Sequence, residues 1–477
     1  MAYTVTFLPQ RISVSVDKGV SLLRAQILAG LRPDAPCGGR GTCGKCTVTL
    51  EGNQVLACQT IVDRDMAVYA EEAGAANILT QGLSVDFQPD GTHKYALAFD
   101  IGTTTLVCYL MDGCTGALLA QSSTINPQSR LGADVISRIQ LAVKEEDGGE
   151  LTRCIRTALE DLTADAAARA KIPVEEITVA AIVGNTAMHH LLLGIDPSPL
   201  VKPPYMPHVS DALEIGIARV LPNIAGFVGG DTVGCMVATR FDALEALTLM
   251  IDIGTNGEMV LGDKNRRIAC STAAGPAFEG AKISCGMRGT EGTVDHVWLE
   301  NGAVRYSVIG ECQAKGLCGS GLLDLIAVLL ELGIIDETGR LAGKRYQLGD
   351  SPVVLTQKDV REVQLAKAAI RAGIELLAKK LGRSIEEIQA VYLAGAFGNY
   401  LTPASACRIG MIPPALLDRI RPIGNAAGEG AKLCALNRGE FEHSRALAKH
   451  TEFLELASLP DFQSCYIDCL GFEEEEE

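Results

Sequence analysis

Four cysteines near the amino terminus have the spacing of a metal site. Cys37, Cys43 and Cys46 follow each other as C-x5-C-x2-C, and Cys58 comes after eleven more residues. Thiolates are soft ligands, and four of them can enclose one zinc ion or an iron–sulfur cluster. A zinc knuckle normally offers two separated C-x2-C pairs, whereas this loop has one such pair, two single cysteines and several glycines whose N–H groups can approach sulfur. The pattern therefore favours an iron–sulfur cluster, with zinc and free core cysteines as the alternatives.

The elements around these cysteines predict a small domain over residues 1–87. Two short alternating strands, YTVTFLP and RISVSVDKG, precede the helical pattern VSLLRAQILAG and a further strand region, TVTLEGNQVLAC. Residues 88–94 are polar, rich in turn formers and without periodicity, which predicts a linker. The cysteine loop resembles that of [2Fe-2S] ferredoxins, and its first spacing is similar to the vertebrate-type and bacterial branch. The resemblance implies a β-grasp domain in which the four cysteines hold a [2Fe-2S] cluster near the surface.

A second motif occurs twice in the remainder of the chain. Residues 97–105 and 249–257 are both apolar strands that end in Asp-Ile-Gly-Thr, and both lead into another apolar run. Such a turn presents backbone N–H groups and hydroxyls that suit phosphate oxygens. Asp100 and Asp252 are placed to hold a hydrated Mg²⁺ that bridges phosphates. The predicted phosphate ligands are Gly102, Thr103 and Thr104 in the first loop, and Gly254, Thr255 and Asn256 in the second.

A third loop follows the strand at residues 390–394. It is the turn Gly395-Ala396-Phe397-Gly398, which opens a helix and offers bare backbone to an adenine ring. In order and spacing the three loops resemble the actin, Hsp70 and sugar-kinase superfamily of ATPases, with its RNase H-like fold, from residue 95 to about residue 440. The resemblance implies an α/β ATPase with lobes at 95–240 and 241–460, followed by a carboxyl-terminal segment and acidic tail at 461–477. Asp231, 21 positions before Asp252, matches the residue that orients the attacking water.

The fusion of a ferredoxin domain to this ATPase resembles the reductive activators of corrinoid-dependent enzymes over nearly the whole chain. Residues 126–139, 183–190 and 271–280 are part of this resemblance. It implies that ATP drives one electron from a low-potential donor, through the [2Fe-2S] cluster, onto the cobalt of a corrinoid protein, which reduces Co(II) to Co(I). Because the linker leads directly into the first phosphate strand, we expect a short form without the middle domain of larger members. A homodimer through the ATPase domain is a further hypothesis.

Two other activities share these motifs. Activators of radical 2-hydroxyacyl-CoA dehydratases also couple this ATPase fold to electron injection, but the resemblance places their [4Fe-4S] cluster between subunits and gives them no fused ferredoxin domain. A small-molecule kinase with an electron-transfer module would need a base for the substrate hydroxyl, which the sequence does not identify. Measured ATP hydrolysis would exclude a ferredoxin scaffold without enzymatic activity.

The composition and net charge limit the classes of binding partner that we expect. The 477 residues predict two to four domains, and a hydrophobic content of 47% with 21% charged residues is typical of a globular protein. A net charge of −16 disfavours nucleic acid and anionic lipid as partners. The sequence shows no apolar run of about 20 residues, and we predict no membrane partner. Sixteen cysteines without a secretory signal predict a reducing compartment, the cytoplasm.

Overall fold

The computed structural model of the protein describes residues 2–31, 33, 35, 39, 41, 44–70, 79–85, 87–132, 134–144, 149–254, 256–275, 277–280 and 282–472. In these parts of the chain, three large β-sheets follow each other from the amino to the carboxyl terminus. Each sheet buries at least one face under helices, so the hydrophobic core is divided into clusters that lie between the layers.

The first sheet belongs to the amino-terminal region and has the strand order β2-β1-β5-β3-β4. Its elements are β1 Ala2–Leu8, β2 Ile12–Asp17, α1 Leu22–Leu28, β3 Thr47–Leu50, β4 Asn53–Leu56 and β5 Met66–Tyr69. Val5 and Phe7, on one face of β1, are fully buried, as the two-residue period of a strand requires. Ser21 caps α1 by accepting a hydrogen bond from the backbone N–H of Arg24 (3.2 Å). A mixed sheet that packs against one helix confirms the predicted small α+β domain.

The second sheet has the order β10-β11-β9-β6-β7-β8. Its elements are β6 Tyr95–Ile101, β7 Thr105–Asp112, β8 Leu118–Ile125, α2 Val135–Lys144, α3 Gly149–Ala170, β9 Ile177–Gly184, α4 Thr186–Leu193, β10 Leu213–Ile215, β11 Ala218–Val220 and α5 Gly230–Ala238. The central strand β6 pairs antiparallel with β7 and parallel with β9. It is apolar along most of its length because helices cover both faces of the sheet.

The third sheet has the order β21-β20-β12-β13-β14-β22. Its region contains β12 Thr248–Ile253, β13 Gly257–Gly262, β14 Arg267–Thr272, β15 Thr293–Glu300, β16 Ala303–Val308, β17 Gly316–Leu317, α6 Gly319–Glu331, β18 Arg345–Gln347, β19 Val354–Thr356, α7 Gln357–Leu381, β20 Ala390–Ala394, α8 Gly395–Tyr400, α9 Pro403–Arg408, β21 Ile420–Gly424, α10 Ala426–Leu436, α11 Arg438–Lys449, β22 Glu452–Phe453 and α12 Phe462–Asp468. Within the described ranges, none of these or the earlier helices is both long and apolar enough to cross a membrane.

The repeat seen in the sequence is a repeat of topology. Strand β12 pairs antiparallel with β13 and parallel with β20, as β6 does with β7 and β9. Asp100 and Asp252 are each the second-last residue of the central strand of their sheet. The two Asp-Ile-Gly turns therefore occupy equivalent places in two related sheets, which confirms the predicted two-lobed fold.

Helices α5 and α10 join the two lobes. They cross closely, because a Cβ built at Gly430 would lie only 2.0 Å from the carbonyl oxygen of Gly234. Although α10 comes late in the chain, it packs against β6 and β9 of the second sheet. The apolar cluster around it combines Val183 of that sheet with Met250 of the third. The α5–α10 crossing is thus shared by both lobes, while the lobe boundaries drawn from the sequence stay a prediction.

The predicted linker forms hydrogen bonds with the end of α10 and the start of α11. The backbone N–H of Asp90 donates to the carbonyl of Leu436 (3.0 Å), and Asn437 Nδ2 donates to the carbonyl of Gln88 (3.0 Å). The Asp90 carboxylate accepts from the backbone N–H of Arg438 (2.8 Å). Residues 88–94 thus pair part of their backbone with α10 and α11, although their polar composition predicted only a connection. The acidic tail, residues 473–477, lies outside the described residues.

Candidate nucleotide and cluster sites

Each of the two repeated turns is closed by a backbone hydrogen bond from its glycine, and the second turn is one residue shorter than the first. The N–H of Gly102 donates to the carbonyl of Thr105, and the N–H of Gly254 donates to the carbonyl of Asn256, both at 2.9 Å. The first turn places Thr103 and Thr104 at its tip, between β6 and β7. Thr255 of the second turn lies outside the described residues. The described predicted phosphate ligands therefore stand on tight turns, at equivalent ends of two sheets.

Acidic side chains gather between these turns. Asp231 lies in the first turn of α5, and Glu258 is the residue of β13 directly opposite Asp252. The charges of Asp100, Asp231, Asp252 and Glu258 act on one another across this region. These four residues are half-buried. The structure thus brings together the three predicted acids and adds Glu258, which the sequence analysis missed.

Burial and mutual repulsion disfavour the charged form of these acids. Burial first, and then the charge of Asp252, raises the pKa of Asp231 to about 7. Burial also raises the pKa of Asp100 and that of Asp252 to about 6. Burial first, and then the charges of Asp231 and Asp252, raise the pKa of Glu258 well above its ordinary value. Part of this group keeps its protons near neutral pH, and a bound cation would release them.

The group fits a magnesium ion that is shared with a nucleotide. Mg²⁺ prefers carboxylate oxygens and usually binds through one or two of them, with water and substrate phosphates completing the shell. Among the described residues, no three side chains of His, Cys, Asp or Glu converge closely enough to hold a metal by themselves. The carboxylates at the strand ends, Asp100 and Asp252, are the donors nearest the two turns along the chain.

Asn425 orients Asp100. It is the residue before α10, and its Nδ2 donates to Asp100 Oδ2 (2.8 Å), while its Oδ1 accepts from the backbone N–H of Gly428 (2.8 Å). The hydrogen bond favours the charged form of Asp100 and partly offsets the effect of burial on its pKa. The helix that joins the lobes thus begins at a contact with the first predicted Mg²⁺ ligand. Local sequence carries no signal for this contact, because it joins residues of distant segments.

A buried polar group supports the first turn from behind. Asn126 Nδ2 donates to the carbonyl of Gly102 (2.8 Å) and Asn185 Nδ2 to the hydroxyl of Thr103 (3.0 Å). Arg138 Nη2 donates to the carbonyl of Thr103 (2.7 Å). These three residues belong to the segments 126–139 and 183–190 that carried the family resemblance, and the structure gives them a physical role. They fix the orientation of the predicted phosphate-binding turn.

Arg138 is a fully buried cation beside this turn. Its exposed fraction is 0%, and burial lowers its pKa to about 10, so the guanidinium is still charged at neutral pH. Its Nε donates to the carbonyl of Gly132 (2.9 Å). Among the described residues, no carboxylate lies within ion-pair distance of it. The more distant charges of Asp134 and Glu279 compensate only part of the cost of burying this charge, and an anion bound at the Thr103 turn would offset more of it.

We therefore expect Arg138→Met to weaken ATP binding by about tenfold or more, which corresponds to about 1.4 kcal/mol. The methionine removes both the positive charge and the hydrogen bond to the Thr103 carbonyl. The loss should be largest for ATP, smaller for ADP and smallest for adenosine, because the charge acts on the phosphates. Equilibrium titration with the three ligands measures it.

Arg130→Met is the matched control, since Arg130 is exposed on the same segment. It should bind all three ligands like the unmodified protein. Equal weakening of ATP and adenosine by Arg138→Met would show that Arg138 is needed for folding of the site rather than for phosphate binding.

The predicted adenosine loop starts helix α8. Gly395 has a φ of 80°, and a Cβ there would lie 2.5 Å from Asp252 Oδ1, so this position requires glycine. The ring of Phe397 stacks on that of Phe278, with centroids 5.0 Å apart and planes 8° from parallel. Ala396 is exposed, and Gly398 is buried beside Leu393. The loop is thus packed directly against the second predicted Mg²⁺ ligand.

Two of the four predicted cluster ligands are described, and they lie at one end of a hairpin. Cys46 precedes β3 and Cys58 follows β4, and the N–H of Ala57 donates to the carbonyl of Cys46 (2.8 Å). Cys46 is buried, and Cys58 is partly exposed. A Cβ at Gly39 would lie 3.8 Å from Cys58 Cβ, so Gly39 lies beside Cys58. Soft thiol donors around a glycine loop fit an iron–sulfur cluster, while Cys37 and Cys43 lie outside the described residues.

Comparison with known proteins identifies three family regions along the chain. The model of a 2Fe-2S iron–sulfur cluster binding domain matches residues 5–66. The RACo middle region matches residues 95–244, and the C-terminal domain of RACo, described as the ASKHA domain, matches residues 246–477. The predicted ferredoxin and ATPase parts are therefore confirmed.

Relatives are similar over most of the chain. The corrinoid activation enzyme RamQ of Eubacterium limosum is 32% identical over 96% of this chain and 97% of its own length. The [Co(II) methylated amine-specific corrinoid protein] reductase of Methanosarcina barkeri is 30% identical over 53% of this chain and 51% of its own length. A solved structure, the reductive activator for corrinoid, iron–sulfur protein, superposes with a TM-score of 0.72 at 26% identity over 98% of each chain.

These matches correct one prediction. A short form without the middle domain is wrong, since the middle region matches residues 95–244. The central strand and turn of residues 95–244 repeat those of the third sheet, so the sequence pattern assigns this segment to the ATPase fold. For this reason the pattern gives no sign of a separate middle region, although that region is present. With a relative 32% identical over almost its entire length, this chain belongs to the RACo family of reductive activators of corrinoid proteins.

Proposed function

We propose that this protein uses ATP to reduce the cobalt of a corrinoid protein from Co(II) to Co(I). One electron leaves a low-potential donor, which is oxidised, and one electron is gained by each cobalt. The observation that carries the proposal is the presence, in one chain, of the Cys46–Cys58 hairpin and of two turns that face a shared group of acids. The names and extent of similarity of the relatives support it.

The chemistry explains why the two parts belong together. For a one-electron step, each 59 mV uphill lowers the equilibrium constant tenfold, so reduction to Co(I) needs an energy input. ATP can supply it only if the nucleotide-bound and nucleotide-free forms bind the corrinoid protein, or its two cobalt states, with different affinity. The α5–α10 crossing between the lobes provides a place where such forms could differ.

In the nucleotide site, each predicted residue has a role. The turns at residues 102–104 and 254–256 hold the phosphates, Asp100 and Asp252 hold Mg²⁺, and residues 395–398 take the adenosine. Asp231 orients the attacking water, and its raised pKa suits a group that accepts a proton near neutral pH.

In the cluster site, Cys37, Cys43, Cys46 and Cys58 are the proposed ligands. The [2Fe-2S] group that they would hold supplies one-electron transfer. The hairpin of β3 and β4 keeps Cys46 and Cys58 together, and Leu22 and Leu23 of α1 close the apolar core beneath them. The exposed free thiol of Cys114 agrees with a reducing compartment, for which we propose the cytoplasm. The homodimer through the ATPase domain stays a hypothesis.

We expect nucleotide-dependent formation of Co(I) when the anaerobic, reduced protein is mixed with a Co(II) corrinoid protein. The Co(I) absorbance should rise with MgATP and stay near background without it. The proposal would be contradicted if no plausible corrinoid protein gave such a signal while the cluster and ATP hydrolysis were intact. Transfer of phosphate to a small molecule would instead favour the kinase, and activity with a 2-hydroxyacyl-CoA dehydratase would favour the other activator class.

A further inference from the structure

Three consecutive residues of the third-sheet region, Phe278, Glu279 and Gly280, contact three different functional segments. We call residues 278–280 the junction segment. Phe278 stacks on Phe397 of the proposed adenosine loop, as described above. Glu279 contacts the first phosphate turn, and Gly280 contacts Lys45 of the cluster domain. The junction segment therefore connects the nucleotide site with the cluster-binding domain over a very short stretch of chain.

The contact with the phosphate turn is made by Glu279. Its Oε2 accepts a hydrogen bond from the hydroxyl of Thr104 (3.2 Å). This contact crosses from the third-sheet region to the turn of the second sheet. The carboxylate is close enough to the buried Arg138 for its charge to favour the charged form of the guanidinium. Glu279 is thus an anion at the turn that we propose for a phosphate.

The contact with the cluster domain is made by Lys45, the residue before Cys46. Its Nζ donates to the carbonyl oxygens of Gly280 and Gly286. A second contact links the same domain to the other lobe, where Arg24 of α1 forms an ion pair with Glu150 of α3 (3.6 Å). The cluster domain therefore touches both lobes, and a change in their relative position would alter its attachment.

We infer that the junction segment, with residues 282–287, is the docking surface for Lys45 of the cluster domain, and that nucleotide binding weakens this docking through Glu279. The inference rests on the proposed ATP site. A phosphate that accepts the Thr104 hydrogen bond takes the place of the Glu279 carboxylate, and the two negative charges repel each other. Displacement of Glu279 moves the adjacent Gly280 carbonyl, which is an anchor of Lys45. Lys45 and the start of β3 are then released when a nucleotide is bound.

Because coupling between nucleotide binding and docking is reciprocal, either the nucleotide affinity or the docking can be measured to test the inference. If the nucleotide weakens docking by some factor, loss of docking must strengthen nucleotide binding by the same factor. Lys45→Met removes the two hydrogen bonds of the ammonium group and should lower the dissociation constant of a non-hydrolysable ATP analogue by about fivefold. Glu279→Gln removes the repelling charge and should also tighten binding. In the double variant the effect of Lys45→Met should largely disappear, because both act along one path.

The test uses the full-length protein with its cluster assembled, and the cluster spectrum serves as a check on each variant. Hydrogen–deuterium exchange of the backbone at residues 44–50 should increase when the analogue binds to the unmodified protein. The increase should be absent in Glu279→Gln, which lies outside the cluster domain and leaves its folding unaffected. Lys18→Met, an exposed position on the same domain, is the control and should behave like the unmodified protein in both measurements.

The outcomes separate this inference from the proposed function. If the unmodified protein binds the analogue, but exchange at residues 44–50 does not change and Lys45→Met binds the analogue with unaltered affinity, the docking inference is wrong and the ATP site stands. If the unmodified protein binds no nucleotide, both are overturned. Weaker binding by Lys45→Met would reverse the sign of the coupling and would also overturn the inference.

Discussion

The substitution Asp231→Asn is expected to lower ATP hydrolysis by about 100-fold or more, because a positioned general base typically contributes at least this factor. The amide can still form hydrogen bonds but cannot accept a proton from the attacking water. The backbone N–H of Thr232 donates to Asp231 Oδ1 (2.8 Å), and an asparagine oxygen can accept the same bond. The start of α5 should therefore be preserved. ATP affinity should change much less than the rate of hydrolysis.

The same substitution should stabilise the nucleotide-free protein above neutral pH. An unfolded aspartate has a pKa near 3.8, whereas the folded Asp231 has a pKa of about 7. Between these values the folded chain keeps a proton that the unfolded chain has released, so the free energy of unfolding falls as the pH rises from about 4 to about 7. Asparagine does not ionise, and it also removes a charge that raises the pKa of Glu258. We expect the Tm at pH 8 to rise by about 3 °C.

A matched control separates this effect from a general loss of negative charge. Asp161 is exposed on α3, and Asp161→Asn removes one charge without touching the acidic group. This variant should keep the hydrolysis rate and the pH dependence of the Tm. An Asp231→Asn protein that hydrolyses ATP at the normal rate would show that another group orients the water. An unchanged Tm at pH 8 would show that Asp231 is ionised without cost.

The four acids therefore lower the stability of the nucleotide-free protein and at the same time suit the binding of a cation with a nucleotide. Four carboxylates whose pKa values are raised by burial and by one another destabilise the nucleotide-free fold near neutral pH, and a cation with a nucleotide would relieve their repulsion. A chain selected only for stability would not keep them together. Their proximity to the two repeated turns is an argument for the nucleotide site that does not depend on any relative.

Local sequence predicted the parts of this site that depend on strand and turn chemistry. The strand ends at Asp100 and Asp252, the tight turns after them and the glycine that starts α8 follow from apolar runs that stop at Asp-Ile-Gly or Ala-Gly. The cysteine spacing predicted the fold class of the first domain in the same way. These signals are short in sequence, so one chain is enough to detect them.

Contacts between distant segments could not be predicted. Asn425 reaches Asp100, and Glu279 reaches Thr104, only because the lobes close around α5 and α10. Neither contact leaves a periodic pattern, since each is a single polar residue in a loop or at a helix start. The middle region was missed for a related reason: its topology repeats that of the third sheet, and a motif shared by both lobes identifies the fold but not the family region.

Cys58→Ser is expected to remove the cluster and to reduce Co(I) formation to the background level, while ATP hydrolysis stays within about twofold of normal. A serine hydroxyl is a hard and weakly acidic donor, and it replaces a thiolate poorly in an iron–sulfur site. Cys58 is the better choice of the two proposed ligands that the structure describes, because Cys46 is only 3% exposed and a hydroxyl there would disturb the apolar core of the domain. Iron content, visible absorption and the electron paramagnetic resonance signal of the reduced protein measure the loss.

Cys114→Ser is the control, since Cys114 is an exposed free thiol outside the cluster domain. It should keep the iron content, the spectra and the rate of Co(I) formation. A Cys58→Ser protein with full iron content and normal Co(I) formation would remove Cys58 from the ligand set. If the variant lost its cluster but still produced Co(I) in an ATP-dependent manner, the electron would have to bypass the hairpin of β3 and β4. The contact of Lys45 with Gly280 would then have no role in electron transfer.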